Sequence, residues 1–345
     1  MYIKRVLKLT VAIGLIFMGA FAFYVYKVMF MSNTSFEKDY VHIYIKSETK
    51  FNELKNQLDP HLLNINDFSV LAKRKKYNVK AGKYRINKGM SNNDIIDNLR
   101  SNNITVNVTY NNINDLNDLA GKISNQIEAD SISFLNSFKS DFFKEKDFDE
   151  KNILSMYIPD SYNFFWNTTA GKFNERMFEE YTKFWQKNNR VEKANKIGLS
   201  KTEVMILASI VYEESKGNIE LPKIAGVYLN RLKSNWKLQA DPTVKFAAYE
   251  LDEYKNTIIR RVLKKHLKID SPYNTYKYNG LPPGIISMPS IQAIDAVLNS
   301  EKHNYYFFAA DPSNPGYHTF ARTLSEHKRN ARKFHRYLDN KGIKK

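Results

Sequence analysis

The chain contains no cysteine, which excludes a thiol nucleophile, a disulfide framework and any cysteine-ligated metal while leaving the compartment open. It also has no GxxxxGK[ST] phosphate loop, no HExxH zinc helix and no GxSxG elbow, so the signatures of P-loop enzymes, zinc proteases and α/β-hydrolases are missing. No internal repeat or low-complexity tract occurs. Lysine and arginine number 53 against 36 acidic residues, a formal net charge of +17, yet no long basic block is present. Cations scattered among acids suit an anionic partner such as membrane headgroups or cell-wall polymer, and they lack the clustered patch of a nucleic-acid binder. No nucleic-acid partner is expected. With 345 residues, 43% of them hydrophobic, the chain has material for more than one packed domain.

The N-terminus addresses the compartment. Lys4, Arg5 and Lys8 precede Leu9 to Tyr26, a run without a charge, and Lys27 with Val28 to Met31 extends the apolar span by snorkelling. Residues 9–31 are therefore expected to be a transmembrane anchor, with residues 1–8 as a cytoplasmic tail. A cleaved signal peptide is the competing reading, since Ala20 and Ala22 mimic a cleavage site, although large aromatics follow Ala22. Basic residues before the span place the N-terminus in the cytoplasm and the remainder outside it.

After a polar spacer, Val41, Ile43 and Ile45 alternate with His42, Tyr44 and Lys46 as in a half-buried strand. Helical patterns over 51–58 and 65–76, a strand at 83–86, a helix capped by Ser91 and a closing strand at Ile104 to Val108 complete a small α+β module, residues 40–104. It holds no catalytic-looking cluster and is open to two readings, a structural spacer or a polymer binder. From Asp115 to Gln186 the pattern is mostly helical. It is interrupted by MYIPDSYNFFW, where Pro159 and Asp160 make a turn among aromatics that are either core or the wall of a sugar-binding cleft.

Residues 200–216, SKTEVMILASIVYEESK, form the expected centre. Ser200 and Glu203 have capping-box spacing, and Val204, Leu207, Ile210, Val211 and Glu214 recur along one helical face. At about 100° per residue, Glu214 lies on the apolar stripe and Glu213 is turned toward its edge. A carboxyl on an apolar face loses hydration and gains proton affinity, as a general acid requires. Alternatively Glu214 ends the helix, with Lys216 and Gly217 as exit signals, and its carboxylate turns to water; periodicity leaves both readings open.

A second helix is expected over 225–232. Asp241-Pro242 in LQADPTV (238–244) is a turn-forming pair that presents Gln239, Asp241 and Thr243. SPYNTY (271–276) and GLPPG (280–284) form a rigid polar and aromatic stretch, while YYFFAAD (305–311) and GYHTF (316–320) pair as a buried strand and its hairpin partner. His318 is either a site residue or a satisfied core histidine.

These motifs, in this order, resemble the YceG-like family of endolytic murein transglycosylases. The residues that carry the resemblance are ASIVYEES (208–215), NRL (230–232), LQADPTV, YNTY (273–276), GLPPG and HTF (318–320), with weaker echoes in AGKYRI (81–86) and IPDSY (158–162). The chain departs from the family pattern at Tyr212-Glu213 and in ISMPS (286–290). The resemblance implies an α+β architecture with three parts: the transmembrane helix, a LysM-like module at 40–104 and a mixed α+β catalytic domain at 105–345. It implies a lyase that cleaves the MurNAc-GlcNAc bond of peptidoglycan without water and leaves 1,6-anhydro ends. Glu214 would act as acid and then base, and Asn230, Arg231, Gln239, Asp241, Thr243, Tyr273, Asn274, Tyr276 and His318 would hold substrate. No metal or organic cofactor is required. The enzyme would sit in the bacterial cytoplasmic (inner) membrane with its catalytic domain outside, trimming or terminating nascent glycan strands beside the synthesis machinery. Two rivals are a two-carboxylate muramidase with Asp241 as base or nucleophile, and a non-catalytic cell-wall-binding scaffold.

Overall fold

The computed structural model describes residues 2–215, 219–255 and 257–340 of a mixed α+β chain. Helix α1 (Tyr2–Phe30) has a mean hydropathy of 2.2 over its apolar window and is long enough to cross a bilayer; an anchor and a signal sequence both fit it. Its end is tied down, because Val28 is buried and its carbonyl accepts from Asn92 Nδ2 at 2.9 Å.

Two compact units follow from the packing. The first comprises residues up to Val108 with Gln126–Ala129 and Tyr162–Thr169. In it β1 (Tyr40–Ile45) pairs antiparallel with β2 (Gly82–Asn87), from Tyr40↔Asn87 to Ile45↔Gly82. Alternation along β1 turns Ile43 and Ile45 inward and leaves Tyr40 and Tyr44 exposed. Helices α2 (Phe51–Leu58), α3 (Ile65–Arg74) and α4 (Asn92–Ser101) supply Leu54, Leu58, Phe68, Leu71, Ile95 and Leu99 to the same core. Asn64 caps α3, and Ser91 with Asp94 closes a capping box on α4.

Strand β3 (Thr105–Tyr110) corrects one expectation. It pairs with β4 (Asp160–Phe165), not with β1 or β2. The chain bends at Pro159, and Asp160, expected with it in a turn, instead opens a strand that carries aromatics expected as core or cleft wall, in keeping with the fit of aromatic residues to a pleated surface. The division between units falls after Val108, and Tyr162–Thr169, which lies inside the larger expected domain, packs with the first unit.

The second unit contains α5 (Leu116–Ser124), α6 (Ser131–Ser137), α7 (Asp141–Lys144), α8 (Ala170–Gln186), α9 (Arg190–Ile197) and α10 (Lys201–Glu214). Beyond these come α11 (Leu221–Lys233), α12 (Asp241–Tyr249), α13 (Ile291–Leu298), the hairpin β5 (Phe307–Ala310) and β6 (His318–Ala321), and α14 (Leu324–Asn340). Helix α10 sits at the centre, packed against α9, α11, α12 and α13. The hairpin runs antiparallel from Phe307↔Ala321 to Ala310↔His318 and is half-buried rather than buried. Asp241-Pro242, expected as a turn, instead opens α12: proline is accepted in a first helical turn because its missing N–H has no partner there anyway.

Candidate active site

Helix α10 starts where its capping box requires: Ser200 Oγ accepts from Glu203 N at 3.2 Å, and Glu203 Oε2 accepts from Ser200 N at 2.8 Å. Beyond the cap, every residue from Val204 to Val211 is buried. The helix has no wet face, so the single apolar stripe read from the sequence understates it; a helix apolar all round belongs in a core. Within it Ser209 Oγ donates to Ile206 O at 2.7 Å and accepts from Ile286 N at 3.2 Å, which ties the 286–290 loop to the helix. The exit signals at Lys216 and Gly217 lie outside the described residues.

The two glutamates at the end of α10 diverge. Glu213 Oε1 accepts from Ser287 Oγ at 3.0 Å. Glu214 points into a separate cavity of about 280 Å³, where its Oε1 accepts from Tyr228 OH at 2.6 Å. Burial pushes the Glu214 carboxyl up from 4.5 to about 7, and the charge of Asp241 adds to this. The Tyr228 hydrogen bond, Arg231 and Lys245 pull the other way without prevailing. Burial, with the neighbouring Glu214, raises the Tyr228 phenol well above its ordinary value, so it remains a donor.

Asp241 and Tyr276 line the same cavity as a second couple, with Tyr276 OH donating to Asp241 Oδ1 at 2.7 Å. Arg231 lies buried between backbone carbonyls, its Nε donating to Tyr306 O at 2.7 Å and its Nη1 to Leu238 O. Its charge meets no carboxylate within ion-pair distance among the described residues and acts on Glu214, Tyr228 and Tyr276 through space. Gln239 completes the polar wall in a left-handed backbone conformation, φ +48°. Phe307 and Phe308 of β5 and Leu324 and His327 of α14 supply an apolar wall, in which His327 stacks on Phe307 and burial lowers its imidazole's proton affinity.

Of the residues singled out in the sequence, Glu214, Arg231, Gln239, Asp241 and Tyr276 thus meet in one cavity. The others do not line it. Asn230 Nδ2 donates to His303 O and Tyr305 O at 2.8 and 2.9 Å. Thr243, fully buried, donates to Ala240 O at 2.7 Å and shares a 2.8 Å hydrogen bond with Thr275. Asn274 Nδ2 holds Leu267 O and Ile269 O, while its Oδ1 accepts from Tyr276 N, so it shapes the loop that presents Tyr276. Tyr273 is buried against Phe246, ring centroids 4.6 Å apart. His318 Nδ1 lies 3.0 Å from Glu220 Oε2, and its ring meets the edge of Phe308 outside the cavity. Nor do the aromatics at 157–166 line it: Tyr157 is core, its OH donating to Asn174 Oδ1 at 2.7 Å.

Tyr228, Phe307, Phe308, Leu324 and His327 were not singled out from the sequence. Tyr228 had a signal, since it lies three residues before Arg231 and therefore on the same face of α11. His327 had none. Among the described residues no three His, Cys, Asp or Glu side chains converge as a metal site.

Comparison with known proteins gives the family of the chain. A profile of the YceG-like family matches residues 43–333. The endolytic murein transglycosylase of Bacillus subtilis (strain 168) is 32% identical over 272 residues, covering 74% of this chain and 72% of that protein. The endolytic murein transglycosylase of Streptococcus pneumoniae serotype 2 (strain D39) is 27% identical over 301 residues, 76% of this chain but 52% of that protein, so the match spans about half of the longer relative. A crystal structure of a YceG-like protein from Listeria monocytogenes aligns with a TM-score of 0.55 at 24% identity, over 85% of this chain and 99% of that one, and shares the fold.

Proposed function

The chain belongs to the YceG-like family, and on that premise we propose that it is an endolytic peptidoglycan lytic transglycosylase. It cuts the MurNAc-GlcNAc bond and leaves 1,6-anhydro-MurNAc ends. The observation that carries the reading is the Glu214 carboxyl, held in a cavity by Tyr228 and raised by burial to about 7. Protonated Glu214 gives its proton to the glycosidic oxygen as the bond from the muramyl C1 breaks, and that ring develops oxocarbenium character. The C6 hydroxyl of the same sugar then bonds to C1, its proton passing to the Glu214 carboxylate, which restores the acid. One carboxyl serves both halves because the nucleophile belongs to the substrate. Tyr228 engages Oε1 and leaves Oε2 for the proton, while Arg231, Gln239 and the Asp241–Tyr276 couple offer groups for sugar hydroxyls and amides. Helix α1 holds the enzyme in the cytoplasmic membrane, N-terminus inside, and residues 40–104 act as a LysM-like module beside the nascent strand.

Mass spectrometry of products from purified peptidoglycan tests this. Anhydro ends from the parent and none from a folded Glu214→Gln variant are expected. Because Asp241 lines the same cavity, a two-carboxylate muramidase is the second reading, and reducing ends in place of anhydro ends would establish it.

A further inference from the structure

Consecutive residues at two places divide the Glu214 cavity from a larger one. Glu214 and Asp241 line the first, whereas Glu213 and Pro242 line the second, of about 730 Å³, together with Lys245, Phe246, Tyr249 and Ile286. Most charged groups of the second cavity are already engaged. Ser287 holds Glu213 at 3.0 Å, Asp115 caps α5 by accepting from Asp118 N at 2.8 Å, and Lys255 lies 2.6 Å from Asp252. Burial raises the proton affinity of Glu250, and the charge of Lys151 acts against that shift. Lys245 differs: it is half-buried, and among the described residues its ammonium has no hydrogen-bond or ion-pair partner. Its field nevertheless reaches Glu214. A cation that lines a cavity without a partner of its own is available to pair with an incoming anion.

We propose that this second cavity seats the peptide stem of the muramyl residue under cleavage, with Lys245 as counter-ion to a stem carboxylate. The inference rests on the transglycosylase reading, which places the muramyl C1 beside Glu214. The peptide leaves the same ring through its lactyl group, so it must enter a neighbouring space. Alanine methyls and free carboxylates along such a stem match a floor of Phe246, Tyr249 and Ile286 with one uncommitted cation.

The test uses the full chain in detergent. Substrates are glycan strands with intact stems and the same strands after enzymatic removal of the stems. Lys245→Met keeps the aliphatic stem and removes the charge; it is expected to lower the ratio of kcat/KM on stem-bearing to stem-free strands about tenfold or more, chiefly through KM. Lys245→Arg should restore most of that ratio. An equal fall on both substrates would assign Lys245 to tuning Glu214 alone and overturn the proposal. Titration of a soluble disaccharide-peptide into the Glu214→Gln protein, with and without Lys245→Met, reads the site without turnover. A weaker Kd on losing Lys245 supports the stem site and an unchanged one overturns it. If the parent forms no anhydro ends on either substrate, the functional reading fails while this binding measurement still decides the role of Lys245.

Discussion

Glu213 and Glu214 differ by one position and about 100° of helix rotation, and that rotation separates a carboxylate held by a serine from one sunk beside a phenol. Two pH effects follow from the Glu214 value of about 7. In the proposed mechanism Glu214 must be protonated first, so kcat/KM should fall about tenfold per pH unit above neutrality, measured as anhydro-end formation across pH 5 to 9. Stability moves in the same direction. The folded carboxyl binds more protons than its unfolded counterpart between pH 4.5 and about 7, so stability declines as pH rises through that window and stays reduced above it. The full cost is on the order of 3 kcal/mol. Glu214→Gln removes it, and melting curves should show the variant's advantage over the parent growing from pH 4.5 to 7 and levelling thereafter. Tyr228→Phe should act oppositely to a neutral packing change. Losing a donor to the carboxylate raises its pKa further, which lowers the rate and moves the alkaline limb up by about one pH unit or more. A reduced rate with an unmoved limb would leave Tyr228 a packing role only.

At the scale of elements, α10 is legible at its start and opaque along its sides. Its cap depends on residues three apart, so Ser200→Ala should cost about 1 kcal/mol in denaturant melts. Its burial depends on four other helices that no local pattern names. Helix α11 shows the same dependence at Gly226, where an added Cβ would lie 2.5 Å from Glu301 O. The chain at 301–303 is pinned to the helix there: Glu301 N donates to Pro222 O at 3.0 Å, and His303 Nε2 bonds Lys223 O at 2.9 Å. Because α11 also carries Tyr228 and Arg231, Gly226→Ala should both destabilise the fold by about 1–3 kcal/mol and lower kcat. Loss of stability with unchanged turnover would show that the helix keeps its position relative to Glu214. Strand β4 was the least legible element. Its aromatic residues next to a proline fit a turn, a core or a strand equally, and only its pairing with β3 decides among them.

For the whole molecule, the excess of 53 basic over 36 acidic residues predicts that binding to anionic cell-wall polymer weakens as salt rises, measurable by co-sedimentation of the Glu214→Gln protein with sacculi between low and physiological ionic strength. Salt-independent retention would assign binding to apolar and hydrogen-bonding contacts instead.

Local signals sufficed for features that neighbours along the chain create: the apolar N-terminal helix, the caps at Ser91 and Ser200 and the alternation of β1 all arise from residues within a few positions of one another, whereas periodicity left Glu214 open to a buried or a water-facing reading and the fold put its carboxyl into the cavity. The composition of the cavity was decided by the tertiary structure. Asn230, Thr243 and Asn274 had the chemistry to bind sugar, but buried donors and acceptors must be satisfied, and folding brought backbone carbonyls to them first, in the case of Asn230 from residues 73 and 75 positions away. Arg231, Gln239, Asp241 and Tyr276 kept groups facing the cavity, and Tyr228 joined them because packing of α11 on α10 put its hydroxyl against Glu214. Which polar side chain serves the scaffold and which is left for a ligand depends on distances set across the fold, a quantity that spacing along the chain does not contain.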